Sequence, residues 1–272
     1  MIKIHIVWCI KLTNNCISFI VAVNNRGVLN ANMLSSPIFN NNDSFDIIIQ
    51  EGYKSAAKAY NNAINKSKND LLVFVHQDVY FPGKWVDDLF RAVSYLDSKD
   101  PEWGVLGCIG ASKDGTVVGN VYSSGLGTIL GDKFDRPVQV QTLDEIVLII
   151  KKSSGLRFDE DLPSFHLYGT DICMNAFFNN RQSYVIPAFC IHNSNKNMYY
   201  PPEYYKCVFH VIKRWRKYLP IYTTCMELKL ANIFKSMINN YIKTYRYKGR
   251  RRNTRVNNPA DIALKIGNDG ML

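Results

Sequence analysis

The sequence lacks any uninterrupted apolar stretch long enough to cross a lipid bilayer. A membrane-spanning helix needs about 20 apolar residues, and the longest aliphatic run here covers only residues 146–150. Residues 1–8 alternate polar and apolar side chains, and no apolar segment or small-residue cleavage site follows them, so we expect no secretory signal. These absences predict a soluble cytoplasmic protein.

Cysteine pairs of the Cys-x-x-Cys type are also missing. The seven cysteines are all separated by more than two residues, which excludes a zinc ribbon and a thioredoxin-like redox motif. An odd number of cysteines without a secretory signal predicts reduced thiols in a reducing compartment. Several of them have apolar neighbours and are expected to be small buried side chains.

Acidic residues are absent from the segment 241–255, although the chain has a formal net charge of +10. The basic residues of this segment are Lys243, Arg246, Lys248, Arg250, Arg251, Arg252 and Arg255. Such a segment is either a solvated end or a surface for nucleic acid, anionic lipid or an acidic polymer. Because no nucleic-acid-binding motif accompanies it, we expect peripheral contact with an anionic membrane through 241–255, at the inner face, rather than nucleic-acid binding.

What the sequence does contain is enough apolar material for one core, with 47% hydrophobic and 12% aromatic residues. Strands are predicted at 17–23, 46–50 and 71–75, and helices at 55–66 and 85–96. This alternation of strands and helices is typical of an open, mostly parallel α/β sheet that is covered by helices. The continuous apolar run 71–75 fits a strand that is buried on both faces.

Polar clusters follow the three predicted strands, at Asn24-Asn25, Gln50-Glu51 and His76-Gln77-Asp78. Ligands bind at the carboxyl ends of strands in such sheets. Asp78 could coordinate Mg²⁺ or Mn²⁺ bound to phosphates, or it could simply cap a turn. His192 follows another predicted strand and is the candidate second ligand if the fold brings it across, although a single histidine is more often structural.

Asp171 lies at the start of a helix predicted over 171–179. An aspartate in this position can stabilise the helix N-terminus, or it can act as a general base toward an acceptor hydroxyl. The neighbouring His166 and Gly169 favour the second interpretation. Beyond residue 200 the pattern becomes helical and basic, with helices expected at 203–218 and about 222–245. We therefore divide the chain into a domain at 1–200 and an extension at 201–272.

Five segments together resemble glycosyltransferase family 2, and more narrowly its branch with a His-Gln-Asp-Val-Tyr signature. They are residues 17–25, 55–64, 71–80, 158–160 and 168–171. The resemblance covers about residues 15–195. It implies a GT-A (Rossmann-like) fold with a mostly parallel sheet flanked by helices and, here, a helical basic C-terminal appendage. It also implies a nucleotide-diphospho-sugar donor, a divalent cation (Mn²⁺ or Mg²⁺) and inversion at the anomeric carbon.

The resemblance also assigns roles by position. The donor-binding positions it implies are Ala22, Val23, Asn24, Asn25, Gln50, Glu51, Asn61, His76 and Gln77. The metal-binding positions are Asp78 and His192, and the catalytic base is Asp171. The acceptor side is implied to contain Asp144, Glu145, His166 and Tyr168.

Two departures from the family pattern reduce the negative charge at the implied site. His76 and Gln77 precede Asp78 where a first carboxylate is usual, and Thr170 precedes Asp171 where a glutamate is usual. The leading hypothesis is an inverting glycosyltransferase that acts on a glycan or lipid-linked acceptor in polysaccharide biosynthesis. The alternative is a catalytically inactive sugar-nucleotide or glycan-binding module of the same fold.

Overall fold

The structure is a computed structural model that describes residues 17–40, 45–247 and 252–268. The predicted N-terminal strand pattern at 1–8 lies outside the described residues. So do Cys9, Cys16 and three members of the basic segment, Lys248, Arg250 and Arg251.

The first part of the chain alternates strands and helices as the sequence predicts. Its elements are β1 (Ile17–Val23), α1 (Arg26–Ala31), β2 (Phe45–Glu51), α2 (Ala56–Lys66) and β3 (Leu71–His76). Each helix begins at a polar cap, because the side chains of Asn25 and Ser55 accept hydrogen bonds from backbone N–H groups of the first turn. The observed bounds of β1, β2, α2 and β3 differ from the predicted ones by at most one residue at either end, whereas α1 was not predicted.

The middle of the chain is rich in short strands. Its elements are β4 (Val79–Tyr80), α3 (Trp85–Lys99), β5 (Val105–Gly107), β6 (Ile109–Ala111), β7 (Val117–Gly119), β8 (Val121–Ser123), β9 (Thr128–Leu130), β10 (Val138–Val140), β11 (Thr142–Leu143) and β12 (Val147–Lys151). The remaining elements are α4 (Tyr168–Phe178), β13 (Ser183–Val185), β14 (Cys190–His192), α5 (Pro202–Arg214), β15 (Ile221–Tyr222), β16 (Glu227–Leu228), α6 (Leu230–Tyr247) and α7 (Pro259–Asn268).

The central sheet has seven strands in the order β10-β13-β5-β12-β3-β1-β2. β1 pairs in parallel with β2 and β3, and β5 pairs in parallel with β13, whereas β12 runs antiparallel to both of its neighbours. Because β10 is also antiparallel to its neighbour, only two strands oppose the common direction. The sheet is therefore mostly parallel and is flanked by helices, as predicted for the fold class.

Two hydrophobic clusters cover the faces of this sheet. Side chains of α2, α4 and α5 pack on one face, and side chains of α3, together with Phe19 and Phe81, pack on the other. The four buried positions of β3 contribute alternately to the two clusters, because successive side chains of a strand point to opposite faces. β3 is thus held on both sides, and its C-terminal residue His76 has a fixed position.

A second sheet, in the order β4-β14-β8-β9, lies beyond the end of β3. β14 pairs antiparallel with β4, and this register places His192 opposite Val79. The two paired residues are more than one hundred positions apart in the sequence. Their pairing brings His192, at the end of β14, beside the segment that follows β3. The small sheet therefore determines which side chains meet at the carboxyl edge of the central sheet.

The C-terminal part differs from the prediction in two ways. α5 contributes Cys207, Val208 and Val211 to the main core, so no break in packing occurs at residue 200. The helix expected from about residue 222 begins only at Leu230, because β15 and β16 form a hairpin there. Thr223 Oγ1 closes the hairpin turn by accepting from the backbone N–H groups of residues 225 and 226. Among the described residues, no helix is both long and apolar enough to span a bilayer.

Candidate active site

Three potential metal ligands meet at the carboxyl edge of the sheet. His76 ends β3, Asp78 lies in the turn before β4, and His192 ends β14. One ligand atom from each lies within 4.8 Å of the others, and His192 Nε2 is 3.4 Å from Asp78 Oδ1. The structure thus brings His192 next to Asp78. This proximity is the condition for His192 to be the second metal ligand.

The charges in this cluster depend on one another. Burial opposes ionisation of Asp78, yet His192, His76 and Arg255 together hold the pKa of its carboxyl well below the ordinary value. Burial also lowers the pKa of His76, which favours the neutral imidazole, although Asp78 acts in the opposite direction. For His192 the balance reverses, because Asp78 outweighs burial and raises its pKa. A carboxylate and a neutral imidazole are the forms that bind a metal.

The donor atoms fit a divalent transition-metal ion. Ligands about 2.1 Å from an ion lie roughly 3 Å apart when adjacent and about 4.2 Å apart when opposite, so a span of 4.8 Å needs only a small contraction around a bound ion. Imidazole ligands suit transition metals, whereas Mg²⁺ prefers oxygen ligands and bound water. Two imidazoles and one carboxylate therefore form a donor set that fits a divalent transition-metal ion.

A cleft of about 590 Å³ opens directly beside the cluster. Seven of the nine predicted donor-binding residues line it: Ala22, Val23, Asn24, Gln50, Glu51, His76 and Gln77. Gln77 ties the ends of β1 and β3 together, because its Oε1 accepts from the backbone N–H groups of Asn24 and Asn25 at 3.2 and 3.1 Å. Its Nε2 donates to Asn24 Oδ1 at 2.5 Å, so the amides form one rigid edge of the cleft.

The two remaining predicted donor-binding residues lie elsewhere. Asn25 caps α1 through its side chain and reaches the cleft only through its backbone. The side chain of Asn61 donates to the Phe158 carbonyl and to Glu160, and it accepts from the Phe158 N–H. Asn61 therefore secures the loop 158–160 rather than facing the donor, because all of its amide atoms are engaged by that loop.

Arg26 also lines the cleft, and the sequence interpretation did not include it. Its guanidinium donates two hydrogen bonds to the Glu51 carboxylate, at 2.6 and 2.7 Å. This bidentate pair joins the start of α1 to the end of β2 at the exposed rim. In the sequence, the position of Arg26 directly after the Asn24-Asn25 cluster could have indicated that it lines the site. Its partner Glu51 follows only from the pairing of β1 with β2.

The structure places Asp171 outside the cleft, in contrast to its predicted role as the base. α4 begins at Tyr168 rather than at residue 171, and the side chain of Asp171 points toward α5. There it accepts from Trp215 Nε1 at 2.7 Å and from Arg214 NH1 at 3.0 Å. With a side chain only 2% exposed, Asp171 belongs to a buried ion pair between two helices and is not placed to take a proton from a bound acceptor.

Two of the predicted acceptor-side residues contact the cluster region directly. The Tyr168 hydroxyl lies 2.9 Å from His76 Nε2 and donates to the backbone carbonyl of Glu145 at 3.3 Å. Glu145 Oε1 accepts from the Gly169 N–H in the first turn of α4. Burial and the adjacent Asp144 raise the pKa of the Glu145 carboxyl to about 8, a value suited to proton transfer near neutral pH.

Asp144 and His166 complete the predicted acceptor side. Asp144 lies between β11 and β12, where its Oδ1 accepts from the Ile146 N–H and turns the chain. Its Oδ2 accepts from Thr224 at 2.6 Å. The ring of His166 packs edge-on against Tyr204, with ring centres 5.5 Å apart. Both side chains are thus held by the segments around α5 and the hairpin β15–β16.

Arg255 is the functional candidate that the sequence interpretation assigned to a different surface. Its NH2 lies 3.2 Å from Asp78 Oδ2, and its Nε donates to the Asn193 carbonyl at 2.8 Å. Asn193 and Val256 exchange two further hydrogen bonds, which fix the chain beside β14. The residue expected at a membrane therefore lies at the candidate metal site.

Comparison with known sequences gives two matches. The sequence model of a family described as "Glycosyltransferase like family" matches residues 18–211. A protein of Fuscovulum blasticum, described as "ATP synthase subunits region ORF 6", is 25% identical over 161 residues, which are 57% of this chain and 63% of that protein. This chain thus spans less than two thirds of the length of that curated relative.

Comparison with solved structures supports the fold. GalNAc-T7 crystallised with UDP, GalNAc and Mn²⁺ superposes with a TM-score of 0.51 and 11% identity, covering 94% of this chain and 58% of GalNAc-T7. S. aureus TarS 1-349 in complex with UDP-GlcNAc gives a TM-score of 0.48 and 12% identity, over 85% of this chain and 73% of that one. Together with the sheet order, the first superposition confirms the predicted GT-A fold class.

Proposed function

The chain belongs to the glycosyltransferase-like family, and from that premise we propose that it transfers a sugar from a nucleotide-diphospho-sugar to a hydroxyl of a glycan or lipid-linked acceptor. One observation carries the proposal: His76, Asp78 and His192 meet beside a cleft large enough for a nucleotide. This position at the carboxyl ends of β1, β2 and β3 is where ligands bind in open α/β sheets.

The three cluster residues would hold Mn²⁺ at the inner end of the cleft. A divalent cation held there would supply positive charge that stabilises the nucleoside diphosphate as it leaves. Asp78 is ionised and His76 is held neutral by burial, so two ligands are already in the form that binds. Arg255 adds a second positive charge next to Asp78.

The nucleoside end of the donor would occupy the opposite part of the cleft. Gln50, which is buried there, and the rigid amide edge formed by Asn24 and Gln77 offer donors and acceptors for the base and the ribose. The Arg26–Glu51 pair closes the rim. Apolar contact from Ala22 and Val23 would complete a pocket of the kind that binds nucleotides.

We assign the general base to Glu145 in place of Asp171. Glu145 lies beside Tyr168, which contacts His76, whereas Asp171 is engaged by α5. The acceptor oxygen forms a bond to the anomeric carbon as the bond from that carbon to the diphosphate oxygen breaks. The acceptor proton passes to the Glu145 carboxylate, and the bonding electron pair leaves with the diphosphate. Direct displacement of this kind inverts the anomeric configuration.

A catalytically inactive sugar-nucleotide or glycan-binding module is the second candidate. The observation that favours it is the ion pair between Arg255 and Asp78, because the guanidinium already supplies a positive charge where a metal ion would otherwise be required. In a binding module, donor would bind without Mn²⁺ and would not turn over.

The deciding experiment measures release of nucleoside diphosphate from a panel of UDP-, GDP- and CMP-type sugar donors, with Mn²⁺ or with EDTA. The proposal expects Mn²⁺-dependent hydrolysis of one donor, which Asp78→Asn abolishes and Asp161→Asn leaves intact. Asp161 is exposed and does not line the cleft, so its variant is a matched control for neutralising an aspartate. Donor binding without release under any condition would instead establish the binding module.

Peripheral association with an anionic membrane is part of the proposal for a lipid-linked acceptor. Of the residues first expected to contact the membrane, 241–247 lie in α6, whereas Arg255 lies beside Asp78. We also propose that residues 201–268 function as one unit with the preceding domain, since α5 and Ile233 of α6 share its core.

A further inference from the structure

Helix α6 has two different long faces. Its inner face is attached to the protein: Ile233 is buried in the main core, the Tyr205 hydroxyl lies 3.2 Å from Ser236 Oγ, and Asn240 exchanges two hydrogen bonds with the backbone of Tyr200. These contacts fix the rotation of the helix about its own axis. They therefore also fix which side chains point away from the protein.

The outer face is a continuous apolar stripe. Its exposed members are Leu230, Phe234, Ile238, Tyr241, Ile242 and Tyr245. At 100° per residue these six positions fall within roughly 120° of the helix circumference. Phe234 is 66% exposed and Tyr245 is 84% exposed, and the stripe runs from Leu230 to Tyr245, so it extends about 23 Å. Contiguous apolar surface of this extent indicates an interaction site.

The charges of α6 have a single sign. The helix contains no Asp or Glu, and its basic residues are Lys235, Lys243 and Arg246. On the same helical projection Lys235 and Arg246 lie about 20–40° beyond Ile242, at one edge of the stripe, whereas Lys243 lies beside Ser236 of the inner face. A stripe of Phe, Ile and Tyr bordered by cations is the pattern of a helix that lies in a membrane interface. The charge is complementary to anionic headgroups, each nearby Lys or Arg adding to attraction.

We propose that α6 docks the protein on anionic lipid, with its apolar stripe at the level of the headgroups and upper acyl chains and its axis parallel to the membrane plane. A second copy of this chain is disfavoured as the occupant, because pairing two stripes would bring Lys235 and Arg246 of both copies together without an acid on either helix. The docking does not depend on the proposed transferase activity. It would nevertheless bring the cleft near acceptors that are attached to lipid.

The test is co-sedimentation of the full chain with vesicles of phosphatidylcholine alone or with 30% phosphatidylglycerol. We expect binding to the anionic vesicles and little to the neutral ones. Phe234→Ser/Ile238→Ser should weaken binding at least about 10-fold, because it removes two inserted apolar side chains. Lys235→Gln/Arg246→Gln should weaken binding about 30-fold on anionic vesicles only.

The matched control is Leu126→Ser/Phe178→Ser, which removes two equally exposed apolar side chains away from α6 and should bind as the wild type does. Circular dichroism of each variant reports whether the fold is retained, and the Lys235→Gln/Arg246→Gln variant keeps the proposal testable if the serine variant unfolds. Equal binding to both vesicle types, or binding unchanged in both α6 variants, overturns the proposal. So does a dimer in light scattering that Phe234→Ser/Ile238→Ser dissociates while vesicle binding is absent.

Discussion

Arg255 and Asp78 are 177 positions apart in the sequence, yet a guanidinium nitrogen of Arg255 lies 3.2 Å from Asp78 Oδ2. The other carboxylate oxygen faces His192 at 3.4 Å. Asp78 is therefore shared between a candidate metal ligand and a cation from the C-terminal segment. Because a bound diphosphate carries more negative charge than one carboxylate, Arg255 is placed to exchange Asp78 for a phosphate oxygen when donor binds.

Replacing Arg255 with alanine should affect nucleotide and metal in opposite directions. We expect nucleoside diphosphate to bind about 10-fold more weakly, the effect of losing one charge-assisted hydrogen bond. Mn²⁺ alone should bind more tightly, because a positive charge next to Asp78 has been removed. Isothermal titration calorimetry with Mn²⁺ and with nucleoside diphosphate measures both.

Arg252→Ala is the matched control for Arg255→Ala. Arg252 has the same charge and lies three residues earlier, but it is exposed and contacts Lys196 through a backbone bridge. Its removal should leave both affinities unchanged. If the two variants behave alike, the effect is one of overall charge and the specific role of Arg255 is contradicted.

Removing His192 should weaken Mn²⁺ binding by more than about 100-fold. Loss of a residue that only hydrogen-bonds to a metal ligand usually weakens binding by about 10- to 100-fold. The affinity of the wild type should also rise with pH, because Asp78 raises the pKa of His192 and a proton must leave before the ring can coordinate. In His192→Ala this pH dependence should flatten. Titration followed by Mn²⁺ electron paramagnetic resonance between pH 6 and 8 tests both points, with His210→Ala as control. A pH dependence that survives in His192→Ala would exclude it as a ligand.

The sequence was most informative where local patterns determine structure. The alternation of apolar runs and a small-residue helix predicted β1, β2, α2 and β3 nearly to the residue, since caps and buried strands are local features. The polar clusters at the strand ends were predicted together because parallel strands share a carboxyl edge. Seven of nine donor-binding candidates accordingly line one cleft.

Features that depend on long-range pairing or on helix rotation were not predictable in this way. Arg255 reaches Asp78 only because Asn193 binds the backbone of Val256, and no pattern in a basic segment indicates such a return. Asp171 was assigned as the base from the neighbouring His166 and Gly169 and from the family resemblance, and its helix begins three residues earlier than predicted. At 100° per residue, the face that a helical side chain presents depends on the packing of α4 against α5, which Trp215 fixes.

Glu145→Gln should lower kcat at least about 100-fold if Glu145 is the base. In the wild type, kcat/KM should rise as pH increases through about 8, because the carboxylate is the active form and its pKa is raised to about 8. Asp144→Asn should move this midpoint to lower pH, since Asp144 is one cause of the raised pKa. Initial rates from pH 6 to 9.5 provide the profiles. If the midpoint of the kcat/KM profile does not move in Asp144→Asn, another residue is the base.

The same pKa has a consequence for stability. Between about pH 4.5 and 8 the folded chain retains a proton on Glu145 that the unfolded chain has lost. The contribution of this group is therefore fully present below about pH 4.5 and is lost as pH rises toward 8. In Glu145→Gln, the fall of the unfolding free energy across this window should become shallower than in the wild type, as urea titrations at several pH values would show.

Asp171→Asn distinguishes a structural role from a catalytic one. The Asp171 carboxylate is buried between Arg214 and Trp215, so the amide loses an ion pair but keeps an oxygen that can accept from the Trp215 ring. Breaking a fully buried pair costs about 3–5 kcal/mol. Because Arg214 is 31% exposed and also pairs with Asp159, solvent screening and the second partner reduce the expected loss to about 2 kcal/mol. That corresponds to about 4–8 °C in Tm for a chain of this size. Asp161→Asn, an exposed neutralisation in the nearby loop, should leave Tm unchanged.

Measured well below the melting transition, Asp171→Asn should retain kcat within about twofold, because the proposed base is Glu145. A kcat reduced more than about 100-fold at unchanged Tm would return the base to Asp171.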